Sequence, residues 1–149
     1  MKLLVLNGPN LDQLGKREPE TYGRFTLAEL EGEVRDLASE LGVDVECRQS
    51  NHEGVLIEWL HNAPNESFGG VVLNAAGYTH TSVALRDAVA SVSIPVVEVH
   101  LTNVHAREGF RHNSLLSAVC EGTIGGFGIR SYAAAIYALA RDNQAASAS

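Results

Sequence analysis

Five β-rich runs, at residues 2–6, 43–49, 70–74, 96–100 and 122–127, alternate along the chain with segments of helical periodicity. This alternation constrains the fold more than any other feature. Strands that are apolar throughout must be covered on both faces, and strands joined by helices run parallel with right-handed crossovers. The expectation is an α/β fold, a flavodoxin-like three-layer sandwich with a five-stranded parallel sheet of order 2-1-3-4-5. The first helix is expected to begin at Thr26, which stands at capping-box spacing from Glu29, to turn Leu27, Leu30, Val34, Leu37 and Leu41 inward, and to stop at Gly42. Helices at 53–63, closed by Pro64, at 82–92, closed by Pro95, and at 132–141 complete the pattern. Residues 1–143 read as a single domain, and the polar Ala/Ser stretch 144–149 as a frayed tail.

Composition narrows the function. A chain of 149 residues, 45% hydrophobic, is long enough for one real core. A net charge of −7 argues against nucleic-acid binding, which needs clustered cations. Only Lys2 and Lys16 are lysines; the other nine cations are arginines, whose planar guanidinium suits bidentate recognition of oxygen-rich groups. A small anionic, hydroxylated ligand fits that bias. Cys47 and Cys120 are isolated, so neither a disulfide framework nor a thiolate metal site is expected, and a reduced cytoplasmic protein is. A basic leader and an apolar run of membrane-spanning length are both lacking, so neither a signal peptide nor a membrane partner is expected. The six histidines, His52, His61, His80, His100, His105 and His112, contain no HExxH pair, and no metal is expected. Nucleotide loops of the GxGxxG or GK[ST] kind and a GxSxG elbow are likewise missing.

In the order 2-1-3-4-5 the carboxyl ends of strands one, three and four meet beside the topological switch point. The polar residues fall at those ends. Asn7, Asn10, Arg17 and Tyr22 follow the first strand, Asn74 and Thr79-His80-Thr81-Ser82 the third, and Glu98, His100, Thr102, His105, Arg107 and Arg111 the fourth. A cation beside a phenol favours the phenolate, so Arg17 near Tyr22 suggests a base. Alternation puts Glu98 and His100 on one face of their strand, where a carboxylate fixes an imidazole tautomer for general acid work. The backbone amides of Leu101 and Thr102 fit an anion nest. Plainer readings exist: Tyr22 as a loop tyrosine, His100 as a core histidine, Asn74, Thr81 and Ser82 as helix caps, Gly8 and Gly77 as turn glycines, and Asp87 beside Arg86 as a solvated charge.

The ordered motifs Leu6-Asn7-Gly8-Pro9-Asn10-Leu11, Leu14-Gly15, Arg17-Glu18-Pro19, Tyr22-Gly23, Gln49-Ser50-Asn51, Asn74-Ala75, Thr79-His80-Thr81-Ser82, Glu98-Val99-His100 and His105-Ala106-Arg107-Glu108 carry a resemblance. The chain resembles the type II 3-dehydroquinate dehydratases over essentially its whole length. The resemblance implies a cofactor-free lyase of the shikimate pathway that converts 3-dehydroquinate to 3-dehydroshikimate through an enolate, usually as a dodecamer built from trimers. It implies that Tyr22 takes the C2 proton with Arg17 beside it, that Asn10 holds a water at the enolate oxygen, and that His100, aided by Asn74 and Glu98, protonates the departing C1 hydroxyl. Leu101 and Thr102 would take the substrate carboxylate on their amides, His80 and Arg111 the ring hydroxyls, Arg107 the charge near the tyrosine, and Asp87 a place in a neighbouring subunit's site. An unrelated Schiff-base route is disfavoured, because neither Lys2 nor Lys16 is placed as a buried amine.

Two departures from the family pattern stand out. Ala76 occupies a position where glycine is usual, with Gly77 one place later, so the turn before His80 is expected to differ in shape. Gly109 replaces a commonly acidic residue and is expected to loosen the segment bearing Arg111. A different class of function, a noncatalytic flavodoxin-like module binding an anionic polyol, would need neither base nor acid, and the joint presence of Tyr22, Arg17 and His100 speaks against it.

Overall fold

The three central runs, at 2–7, 70–74 and 96–100, bury side chains on both faces, while the edge runs at 44–49 and 122–125 stay partly exposed, and the five pair into one sheet with helices on either side. β1 (Lys2–Asn7), β2 (Asp44–Gln49), β3 (Gly70–Asn74), β4 (Val96–His100) and β5 (Gly122–Gly125) are all parallel, in the order β2-β1-β3-β4-β5. Among the described residues five α-helices accompany them: α1 (Pro19–Tyr22), α2 (Leu27–Glu40), α3 (Glu53–Asn62), α4 (Val83–Ser91) and α5 (Ile129–Ala148). This computed structural model describes the backbone of residues 1–148 and side chains as far as Arg141. On β1, Leu3 and Val5 enter a core shared with α2 and α5, and Leu4 and Leu6 enter a second core shared with α3 and α4. All four are fully buried, and each such side chain stabilises the fold by about 1.5–3 kcal/mol.

The expected sheet order and the α/β class are those observed, and the differences lie at element ends. Thr26 caps α2, its hydroxyl oxygen accepting the Glu29 N–H at 3.1 Å. The residues of α2 that vanish into the core are Leu30, Val34 and Ala38, spaced by four; Leu37 falls on the flank and stays half-buried, so Ala38 takes the place expected of it. β5 stops at Gly125, two residues earlier than expected, because the chain turns at Gly126 (φ +96°) and leaves Phe127 59% exposed. α5 begins earlier than expected, at Ile129, where the Ser131 hydroxyl accepts the otherwise orphaned Phe127 N–H at 3.0 Å. The stretch expected to fray, 144–149, continues the helical backbone to Ala148, and Ser149 lies outside the described residues.

Two local features shape the carboxyl end of the sheet. Gly8 leaves β1 with its N–H bonded to Asn74 O at 2.8 Å, and a Cβ there would lie 2.7 Å from Ala75 O, so no larger residue fits without moving a strand. Ala76 sits at φ +51°, in the left-handed region that favours glycine. This gives a physical reason for glycine being usual at that position. The short helix α1 was not foreseen; Pro19 starts it and Tyr22 ends it.

Relieving the strained alanine should stabilise the protein: Ala76→Gly is expected to raise the unfolding free energy by about 1 kcal/mol, measured by urea denaturation. An unchanged or lower midpoint would show that the turn stores no strain. Burial, reinforced by Glu31 at one site and Glu98 at the other, pushes the Cys47 and Cys120 thiols up to about 12. Both should therefore resist iodoacetamide near neutral pH until the protein unfolds, and rapid labelling of the native protein would contradict that placement.

Candidate active site

The pairing of β3 with β4 ends at Leu73–Glu98, so the two strands part just before Asn74 and His100. Into this opening comes the loop after β1, held down by Leu11 and Leu14, each 5% exposed and packed in the core on the α2 and α5 side. The result is a cleft with about 150 Å³ of internal space, the scale that admits one six-membered ring. Asn10, Arg17, Tyr22, Asn74, His80, His100, Leu101, Thr102, Arg107 and Arg111 all line it. Ten of the twelve residues to which the resemblance gives a role thus meet at one place. Glu98 stands behind His100, and Asp87 lies on α4 outside the cleft, 67% exposed and paired with Arg86 at 3.4 Å.

The lining is cationic. Arg17, Arg107 and Arg111 contribute guanidinium groups, His80 and His100 add imidazoles, and no Asp or Glu among the described residues lines the wall, although the chain as a whole carries −7. Arg17 and Arg107 each place the guanidinium carbon 4.8 Å from the centroid of the Tyr22 ring. Two cations thus stand against the ring of one phenol. Arg107 also donates to the Thr102 hydroxyl at 3.4 Å, which ties it to the end of β4. Glu108 accepts a hydrogen bond from Arg111 Nε, so Arg111 is braced across Gly109 rather than left loose.

His100 is 7% exposed, and its Nε2 lies 2.5 Å from Glu98 Oε2. The other carboxylate oxygen of Glu98 accepts hydroxyls from Ser117 at 2.8 Å, Ser114 at 3.0 Å and Thr123 at 3.5 Å. Burial pushes the Glu98 carboxyl up, but the hydrogen bonds from His100 and Ser117, the imidazole charge and the Ser114 hydroxyl together hold it below the ordinary carboxylate range. An ionised Glu98 only accepts, so Nε2 of His100 carries hydrogen and Nδ1 is the ring atom left for a ligand. His80 is set the same way from the other side: its Nδ1 donates to Asn113 O at 2.9 Å, which leaves Nε2 free. The two imidazoles stand nearly parallel, 6.5 Å apart.

Asn10 has φ +70°, a conformation asparagine tolerates, and its N–H donates to Asn51 Oδ1 at 2.9 Å. Asn51 in turn is held by Gln49 Nε2 at 3.1 Å, and its backbone oxygen accepts the Tyr78 hydroxyl at 2.9 Å. Gln49 and Asn51 stood among the family motifs without a role; they brace the loop that presents Asn10. Ser114, Ser117 and Tyr132 were missed as supports. Serines in a loop after β4 have no distinguishing pattern, and a tyrosine on the inner face of a helix reads as core.

Residues 1–140 match the dehydroquinase class II family. The 3-dehydroquinate dehydratase of Rhizobium johnstonii is 56% identical over 137 residues, covering 92% of this chain and 94% of that one. Its counterpart in Variovorax paradoxus is 54% identical over 142 residues, 93% of this chain and 97% of that one. The crystal structure of the type II dehydroquinase from Butyrivibrio crossotus superposes with a TM-score of 0.91 at 46% identity, covering 93% and 97% of the two chains. A match through residue 140 at this level of identity, on the same five-stranded fold, shows that the chain belongs to the class II dehydroquinase family.

Proposed function

We propose that the protein is a 3-dehydroquinate dehydratase acting through an enolate. The observation that carries this reading is a phenol under two guanidinium groups and a carboxylate-held imidazole lining one cationic cleft, where an anionic ring can sit between them. A carbonyl at C3 acidifies the C2 hydrogen. Tyr22, as phenolate, takes that proton, and the electron pair moves onto the C3 oxygen. Asn10 holds the water that donates to this oxyanion, the kind of fixed donor that lowers the barrier most when charge develops. His100 then gives its Nδ1 proton to the C1 hydroxyl, which leaves as water as the enolate collapses to the enone. Glu98 supports the imidazolium before that transfer.

Binding uses the rest of the wall. The N–H groups of Leu101 and Thr102, at the end of β4, take the substrate carboxylate, and His80 and Arg111 take the ring hydroxyls. Asn74 steadies His100, and Arg107 shares the charge at Tyr22. An imine route is unsupported, since neither lysine lines the cleft and Lys2 Nζ lies 4.2 Å from the Phe68 ring centroid. Asp87 faces outward on α4, which suits a role in a neighbouring subunit's site, and exposed Phe110 and Phe127 suit contacts in a dodecamer of trimers. The product feeds aromatic biosynthesis, and unpaired Cys47 and Cys120 suit a reducing cytoplasm.

Ultraviolet absorbance of the enone formed from 3-dehydroquinate tests the reading directly, and wild-type protein without turnover would sink it. Tyr22→Phe is expected to lower kcat by at least about a hundredfold with KM little changed, since it removes only the reacting hydroxyl; near-wild-type kcat would place the base elsewhere. Glu98 is held below its usual value in the folded state, so its contribution to stability is present above about pH 4.3 and is lost as pH falls through the lower folded value. Glu98→Gln should therefore flatten the acid limb of a stability profile taken by thermal melts from about pH 6 to about pH 3. Superimposable acid limbs would show that Glu98 is not the group titrating there.

A further inference from the structure

Tyr132 is fully buried on α5, yet it carries a hydroxyl whose desolvation must be met by partners. Its oxygen donates to Asn7 Oδ1 at 2.6 Å and accepts Asn74 Nδ2–H at 2.9 Å. Asn7 and Asn74 are cross-strand partners, the last residues of β1 and β3. A phenol has one hydrogen; with that hydrogen on Asn7, the oxygen can only accept from Asn74. The Asn74 amide nitrogen must then face α5, and its carbonyl must face the Ala76 N–H, which it accepts at 3.1 Å. Ala76 sits in its left-handed turn under that hydrogen bond and opens the segment Ala76–His80. Asn74, Ala76 and His80 all line the cleft, and neither Tyr132 nor Asn7 does.

Asn7 gives the second, independent sign. It is completely buried, and its Nδ2 is one of two buried side-chain polar atoms without a partner among the described residues. An amide that leaves its nitrogen orphaned in the interior is costly, so its orientation is set by what its carbonyl must meet. That carbonyl has the Tyr132 hydroxyl as its partner. Burial pushes the Tyr132 phenol far up, so it stays neutral and keeps its hydrogen at any working pH, unlike a residue meant to exchange protons.

We infer that Tyr132 is a positioning residue for the reaction: its hydroxyl, oriented by Asn7, sets which way the Asn74 amide points and with it the turn that presents Ala76 and His80 to the substrate. The inference rests on the dehydratase reading above. Steady-state kinetics with 3-dehydroquinate on the full chain test it, comparing wild type, Tyr132→Phe, Asn74→Ala and the double variant, with thermal midpoint and native mass recorded for each. Tyr132→Phe is expected to keep the wild-type mass and to lose about 10- to 100-fold in kcat/KM, the size of effect that misplacement of a contacting group produces. The double variant should be no worse than Asn74→Ala alone, because both remove one linked interaction. A merely structural tyrosine would lower the midpoint while leaving kcat/KM within about twofold, or its loss would multiply with that of Asn74→Ala; either result overturns the inference. Should Tyr132→Phe fail to fold, Asn7→Ala probes the relay from its other end by freeing the phenol hydrogen to turn toward Asn74. A fall in kcat/KM supports the relay and an unchanged value overturns it. Wild type without turnover would overturn the dehydratase reading together with this inference, whereas active wild type with an insensitive relay overturns the inference alone.

Discussion

The close approach of β1 and β3 at their carboxyl ends is the constraint from which the site follows. Gly8 permits it, since its N–H reaches Asn74 O at 2.8 Å and any Cβ would collide with the Ala75 backbone. This is the point where the winding of the sheet reverses, β1 leading outward to β2 and β3 outward to β4. Two chain segments therefore leave the sheet side by side in divergent directions, one toward Asn10, Arg17 and Tyr22, the other toward Ala76 and His80. A wider separation at Gly8 would part Asn7 from Asn74 and leave the Tyr132 hydroxyl bridging nothing.

Charge is distributed to the same end. The chain is acidic overall, yet the cleft wall contains three arginines and no carboxylate, because the acidic groups near it are already committed. Glu98 is saturated by His100 and by seryl and threonyl hydroxyls, and Glu108 is bound to Arg111. The net negative charge of the chain is thus kept off the cleft wall, which stays locally cationic.

Much of this was legible in the sequence, and the reasons are specific. β-rich runs separated by helices imply a parallel sheet covered on both faces, and the order 2-1-3-4-5 was the economical reading of that pattern. Convergence of Asn10, Asn74 and His100 then followed from topology, since all three stand at or just beyond the ends of neighbouring strands. Element ends were harder. Whether Leu37 or Ala38 faces inward depends on how α2 rotates against α5, and whether β5 reaches Phe127 depends on the backbone turn at Gly126; neither is a property of local pattern. The supports were least visible. A hydroxyl on an inward helix face, as at Tyr132, is indistinguishable by periodicity from an aromatic core residue, and its partners lie 58 and 125 positions away in the chain.

The division of labour between the two reacting groups in the proposed mechanism has a physical basis in where each is mounted. A general acid must keep one ring nitrogen aimed at the leaving group, and His100 achieves this on a buried strand, with its other nitrogen locked to an ionised carboxylate that three hydroxyls hold in place. The base has a different requirement, because negative charge must form on it before substrate arrives and then be lost to a carbon-bound proton. Tyr22 ends a four-residue helix on a loop, half-buried, with guanidinium groups from two separate segments against its ring. In the proposed mechanism the acid therefore stands in a dry, hydrogen-bonded setting and the base in a cationic, half-buried one.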